Sequence, residues 1–329
     1  MRKLMISIFG AACLLAAPAA QAEKYKLTLS GASPGGLWSL IGAGLDKSIN
    51  KAYPGSTLTY QTGSGGLANV RLVNDKKVPM GLATDPELSA AINGSGPFKG
   101  KKMKDLRVLL RVYSTQARFQ LSHILVNGDV AKKHNIKTIA DLKKNARKLR
   151  VAFNRPGNMD GDLSIAILKA HGINIKRFKR VVRAASKEMT SLMLDRRIDV
   201  MNFGISFNHR RIREVKKGIP LAMLDIGPEV AASVATEFGG TPCIVKAKEY
   251  KFISAKSTSV CVGAVVVVHK SMSNKTAYNI VKGVLANIQQ FKNAHRALKK
   301  ATTANSMAEP SVAPHHAGAK KAFKEAGLL

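Results

Sequence analysis

The chain is 329 residues long and 45% hydrophobic, with 53 Lys and Arg against 20 Asp and Glu and a formal charge of +33. That length and apolar content exclude a disordered or fibrous chain and suffice for two packed α/β domains. The charge attracts anions, nucleic acid or anionic lipid, yet the basic residues fall mostly at helical spacing between apolar ones, without a groove-reading motif or an aromatic platform, so they read as a solvated surface.

In chain order, Arg2 and Lys3 precede an apolar stretch from Leu4 to Ala17 that leads to Ala20-Gln21-Ala22, the small-x-small pattern of a signal peptide. The stretch is short for a membrane helix. Residues 1–22 are therefore expected to be cleaved after Ala22, leaving a periplasmic chain. Lys26–Ser30 reads as a strand, and Leu37–Asn50 as a helix with Leu37, Leu40, Ile41 and Leu45 on one face. A strand at Ser56–Thr62, a helix at Ala68–Asn74 and strands at Val78–Thr84, Leu106–Tyr113 and Gln120–Val126 follow. Thr138 and Asp141 form a capping-box pattern that opens a helix at Ile139–Asn145. Strands at Leu149–Asn154, Arg180–Ala184, Asp199–Phe203 and Leu221–Ile226 alternate with helices at Asp162–Ala170 and from Ser186 to Leu194. Val260–Val268 reads as one buried strand. Ala277, Ile280, Val281, Val284, Leu285, Ile288 and Phe291 then form the apolar stripe of a long helix.

This alternation predicts βαβ units and sheets covered on both faces. With no repeat and no low-complexity linker, a two-lobed chain needs crossovers, placed near Tyr113–Phe119 and Lys251–Ser259. The first lobe is then discontinuous, 23–115 and 258–329, and the second is 116–257. Cys243 and Cys261 survive cleavage. A disulfide closing a modest loop and two separate buried thiols both fit the sequence. No metal is expected, since neither cysteine has a partner at ligand spacing and His315-His316 falls in a polar tail.

Three loops carry the chemistry. Ser30-Gly31-Ala32-Ser33-Pro34-Gly35-Gly36, Thr62-Gly63-Ser64-Gly65-Gly66 and Asn154-Arg155-Pro156-Gly157-Asn158-Met159-Asp160-Gly161 each follow a strand and open a helix. Glycine lets backbone N–H groups approach a ligand, and a helix N-terminus favours an anion. The first loop matches neither a P-loop nor a dinucleotide fingerprint. Ser33 and Ser64 lack a Gly-x-Ser-x-Gly elbow, and none of the histidines has a paired carboxylate pattern, so no enzyme activity and no cofactor are expected.

Ser33-Pro34-Gly35-Gly36, the Thr62–Asn69 loop with Asn69-Val70-Arg71-Leu72, and Gly81-Leu82-Ala83-Thr84-Asp85 resemble motifs of the TAXI receptors of TRAP transporters. The resemblance resumes at Pro156-Gly157, Arg197-Ile198-Asp199 and Ser259–Val262, and runs on to the terminal Glu325-Ala326-Gly327-Leu328-Leu329. It implies a type II periplasmic-binding-protein fold, two α/β lobes joined by a hinge and closing on a small solute. It also implies a TRAP membrane permease as partner and a carboxylate ligand, an organic acid or an amino acid. The chain is expected to act as a monomer and to bind no nucleic acid. The ligand residues implied are Ser33, Gly36, Trp38, Ser64, Gly66, Asn69, Thr84 and Asp85 in the first lobe. Arg155, Gly157, Asn158, Asp160, Asn202 and Ser206 complete the set in the second. Two departures from the family bear on the ligand. Trp38-Ser39 replaces an aromatic pair, leaving Trp38 as pocket or core residue, and Asp160 stands where a threonine is usual, leaving it as ligand contact or helix cap. A cationic protein binding polyanions and an enzyme on the same fold are the alternative readings.

Overall fold

The computed structural model describes residues 23–156, 158–296 and 298–329; the expected signal peptide and Gly157 lie outside them. The strands are β1 (Lys26–Ser30), β2 (Thr57–Gln61), β3 (Met80–Thr84), β4 (Leu106–Tyr113), β5 (Gln120–Asn127), β6 (Arg150–Phe153), β7 (Arg180–Arg183), β8 (Val200–Ser206), β9 (Leu221–Met223), β10 (Thr241–Val245), β11 (Ser257–Val262) and β12 (Ala264–His269). They form two sheets. The first runs β2-β1-β3-β12-β4, and the second β10-β11-β5-β8-β6-β7, with β9 on β5. β1 pairs in parallel with β2 and β3, and β6 with β7 and β8, through helical crossovers that cover the sheets. β12, at the interior of the first sheet, buries Ala264 through Val268 on both faces, as a strand covered on both sides must.

The chain changes sheet twice, between Tyr113 and Gln120 and again at Gly263. The run expected as one strand over Val260–Val268 is therefore two. β11 pairs with β10 and β5 in the second sheet, β12 with β3 and β4 in the first. The return falls later than the expected Lys251–Ser259, and residues 258–262 belong to the second sheet. The cause is local. A Cβ at Gly263 would lie 2.2 Å from Arg111 Nη1 and 2.5 Å from Asp85 Oδ2, so only glycine passes this buried ion pair. Arg111 donates to both Asp85 oxygens, at 2.7 and 3.2 Å, and to the Pro310 carbonyl at 2.6 Å, while Asp85 N donates to the Gly263 carbonyl.

Helix Leu37–Ala52 buries Ile41, Leu45 and Ile49. Helix Asn274–Ala286 buries Ala277, Ile280, Val281 and Val284, and the stripe continues in a separate helix, Ile288–Asn293, through Phe291. The Thr138–Asp141 capping box forms as its spacing predicts, Asp141 N donating to Thr138 Oγ1 and Thr138 N to Asp141 Oδ2. The C-terminal segment is not the polar tail expected. His316 is 2% exposed and caps helix Ala317–Glu325, and His315 bridges to Val108 of β4. Cys243 and Cys261 are bonded, joining β10 to β11. Lys99, Lys101, Lys102, Lys104, Lys132, Lys133, Lys143 and Lys144 are all exposed. Among the described residues no helix is long and apolar enough to cross a membrane.

Candidate functional site

Parallel strands followed directly by helices leave a crevice beyond their carboxyl ends. Here six such junctions meet. β1, β2 and β3 lead into helices Leu37–Ala52, Gly66–Asn74 and Asp85–Asn93; β6, β7 and β8 lead into Met159–Ala170, Ser186–Leu194 and Arg210–Gly218. The first turns of all six line one cavity of about 300 Å³ between the sheets.

A helix leaves its first N–H groups without intrahelical partners and carries a partial positive charge there. Three of the six N-caps, Gly36, Gly65 and Ala185, place no side chain on those donors. Gly65 sits at φ 109, a conformation open to glycine and strained for other residues. Asn158 and His209 cap their own helices, accepting from Asp160 N and Arg211 N. His209 accepts through Nδ1, so its proton sits on Nε2. Burial, reinforced by Arg211 and its neighbours, pushes the ring down to about 4, and at neutral pH it is a neutral donor.

The side chains add charge of both signs. Arg155, Lys187 and Arg211 line the cavity. Arg155 Nη2 reaches across to Ser33 Oγ at 3.3 Å, joining the loop after β6 to the loop after β1. Asp160 accepts from Asn154 Nδ2 at 2.7 Å and from Gly204 N at 2.6 Å, and burial pushes its carboxyl up to about 6. Glu87, 3% exposed, accepts from Thr84 N and Thr84 Oγ1 at 2.8 and 2.9 Å; burial pushes it up to about 7. An apolar wall of Leu163, Ile205, Val260 and Val262 faces Leu37 and Trp38. The site can therefore hold a small, partly apolar anion with backbone and cationic donors.

Of the residues expected at the site, Ser33, Gly36, Trp38, Gly66, Thr84, Arg155, Asn158, Asp160 and Ser206 line the cavity. Trp38 is pocket and core residue at once, its Nε1 donating to Tyr113 Oη at 3.3 Å while the ring packs on the first sheet. Asp160 is not the cap of its helix; Asn158 is. Four expected residues are placed elsewhere. Asn69 is fully buried as a strut, accepting from Ser30 Oγ and donating to the Leu82 carbonyl. Asp85 is consumed by Arg111 and Ser311. Asn202 is buried and donates to the Ala152 carbonyl. Ser64 is exposed, its neighbours Gly65 and Gly66 providing the contact instead. Glu87, Gln120, Lys187, His209 and Arg211 were not anticipated. The glycine loops hid Glu87 one turn further on, and the basic residues resemble any solvated lysine or arginine until the fold turns them inward.

A sequence model of the NMT1-like family matches residues 29–327. Solved structures with the same architecture include the periplasmic binding protein BugD, 14% identical over 93% of this chain and 99% of that one, with a TM-score of 0.57. PhnD1 from Prochlorococcus marinus, in complex with methylphosphonate, is 13% identical over 92% and 99%, TM-score 0.56. MatC from Rhodopseudomonas palustris, with bound malate, is 11% identical over 83% and 88%, TM-score 0.55. At such identities the likeness concerns the fold. It is the expected one, two α/β lobes of the type II periplasmic-binding kind.

Proposed function

The chain belongs to the NMT1-like family, and from that premise we propose that it is an extracytoplasmic receptor for a small anionic solute. The solute is held between the two lobes and delivered to a membrane permease. The observation that carries this reading is the convergence of six helix N-termini, three from each sheet, on one cavity with Arg155 spanning its walls. Bound methylphosphonate in PhnD1 and bound malate in MatC favour the anion class. The loop motifs of the first lobe favour a TRAP permease and a carboxylate among the anions. In this reading residues 1–22 are a signal peptide, and the lobes divide where the chain changes sheet. Binding and closure are one event, because a ligand shifts the open–closed balance only through its greater affinity for the closed form.

The test is mass spectrometry of small molecules released from gently purified protein, followed by titration of each at two salt concentrations. Release of an organic anion that rebinds with a modest salt effect is the expected result. Binding only to polyanions, with affinity falling roughly 10³- to 10⁵-fold between 50 and 200 mM salt, would replace the receptor reading with a charge-driven one.

A further inference from the structure

Each lobe places a carboxyl in the cavity and seats it against a glycine. A Cβ at Gly66 would lie 1.7 Å from Glu87 Oε2, and one at Gly204 would lie 2.3 Å from Asp160 Oδ1. Among the described residues neither carboxyl has a cation within ion-pair distance. Their partners are the neutral donors Thr84, Asn154 and Gly204.

The charged surroundings do not neutralise them. On the first-lobe side Asp85 and Arg111 are spent on each other, and burial holds the Tyr113 phenol neutral. On the second-lobe side Asp162 and Arg183 act on Asp160 in opposite directions. The helices packed on Asp85–Asn93 bring Arg71, Glu229 and Glu237, all of them exposed. Arg155 and Lys187 face the cavity from exposed positions, Arg211 from a half-buried one, and His209 is neutral.

Two carboxyls that line one cavity without cationic partners disfavour each other's ionisation. An anion entering that site would be a third negative charge. We propose that Glu87 and Asp160 form a proton-holding pair, so that the cavity takes up its anionic solute together with one proton. This rests on the anion-receptor reading above and says how that site is regulated. Burial above all, with the Asp160 charge adding to it, pushes Glu87 up to about 7, while burial pushes Asp160 up to about 6. The pair therefore stands at the edge of protonation near neutral pH, with Glu87 the first to take the proton. An arriving anion raises the pair further. Above about pH 7 the free site has lost a proton that the bound site keeps, so affinity falls with rising pH, by up to roughly tenfold per unit.

Calorimetry of the mature protein with malate, succinate and methanesulfonate, in Tris and in triethanolamine, reads the proton count directly. The tightest binder of the three should bring about half to one proton at pH 7.5, and its affinity should drop roughly tenfold between pH 7 and 8.5. Glu87→Gln should abolish the uptake, flatten the profile and bind more tightly than the parent at pH 8.5. If Glu87→Gln does not fold, Asp160→Asn is read the same way. Binding without proton uptake by the parent overturns the proposal and leaves the anion receptor standing, as does uptake that persists in both variants. Binding of none of the three anions brings down the receptor reading and this proposal together.

Discussion

The two lobes build their walls of the cavity from different materials. The first offers backbone: Gly36, Gly65 and Gly66, with two uncapped helix N-termini, and its one ionisable lining residue, Glu87, is buried. The second offers side chains: Arg155, Lys187, Arg211 and Asp160, of which Arg155 and Lys187 are exposed. Backbone donors are fixed by the fold and recognise an anion in general. A guanidinium fork matches the shape of a carboxylate. The first wall is thus built mainly of backbone donors fixed by the fold, and the second mainly of side chains.

The lobes are also anchored differently, which gives the most disruptive test of this contrast. The first is secured at the return crossover by the buried Arg111–Asp85 pair under Gly263. Arg111→Ala leaves Asp85 buried without its partner and should cost about 3–5 kcal/mol, read by chemical denaturation. A cost below about 1 kcal/mol would mean that the crossover does not depend on the pair. The second lobe is secured at its edge by the Cys243–Cys261 bond. Replacing both cysteines with serine should cost about 3 kcal/mol, in the picture where the bond limits the unfolded chain. Thiol titration of the unfolded, unreduced parent should find neither cysteine free; two free thiols would remove this anchor from the account.

Acid should strain the second lobe more than the first. His123 lies fully buried on β5, its ring nitrogens shared between the Phe203 carbonyl and the Tyr250 hydroxyl, and burial pushes it down to about 4. A histidine with a depressed folded pKa contributes fully above its unfolded value of about 6.5 and loses that contribution as pH falls toward 4, about 3 kcal/mol at most. Glu87 and Asp160, raised in the folded state, act with the opposite sign over part of the same range. Comparing the parent with His123→Gln isolates the histidine: the stability gap between them should narrow as pH falls from 7 to 4. A gap that stays constant would show that His123 does not titrate as its burial demands.

What the sequence disclosed follows from the range of the forces involved. Helix Ile139–Asn145 was legible to the residue because its capping box is local, and β4 because polar residues bound its largely apolar run. The division of Val260–Val268 was invisible, since both halves are equally apolar and only the distant Arg111–Asp85 pair makes Gly263 a junction. At the site, the glycine loops marked the right neighbourhood but not which side chains face inward. Asn69 and Asp85 sit beside those loops and turn away to buried partners. Lys187 is the one lysine of a helix that also carries Glu188, and Arg211 lies in an ordinary basic helix; only the arrangement of β7 and β8 brings their first turns to the cavity.

The central claim, that one small anion is gripped by both walls, is tested most directly at Arg155. Calorimetry with the rebinding anion should compare the parent, Arg155→Ala and two exposed surface variants, Lys143→Ala and Lys216→Ala. Loss of a charge-assisted hydrogen bond costs about 1.5–3 kcal/mol, so Arg155→Ala should bind roughly ten- to a hundred-fold more weakly with its stability unchanged. The surface variants should match the parent at physiological salt, where exposed charges are screened. If Arg155→Ala binds like the parent while the lysine variants lose affinity, the anion is held by the basic surface and not between the lobes.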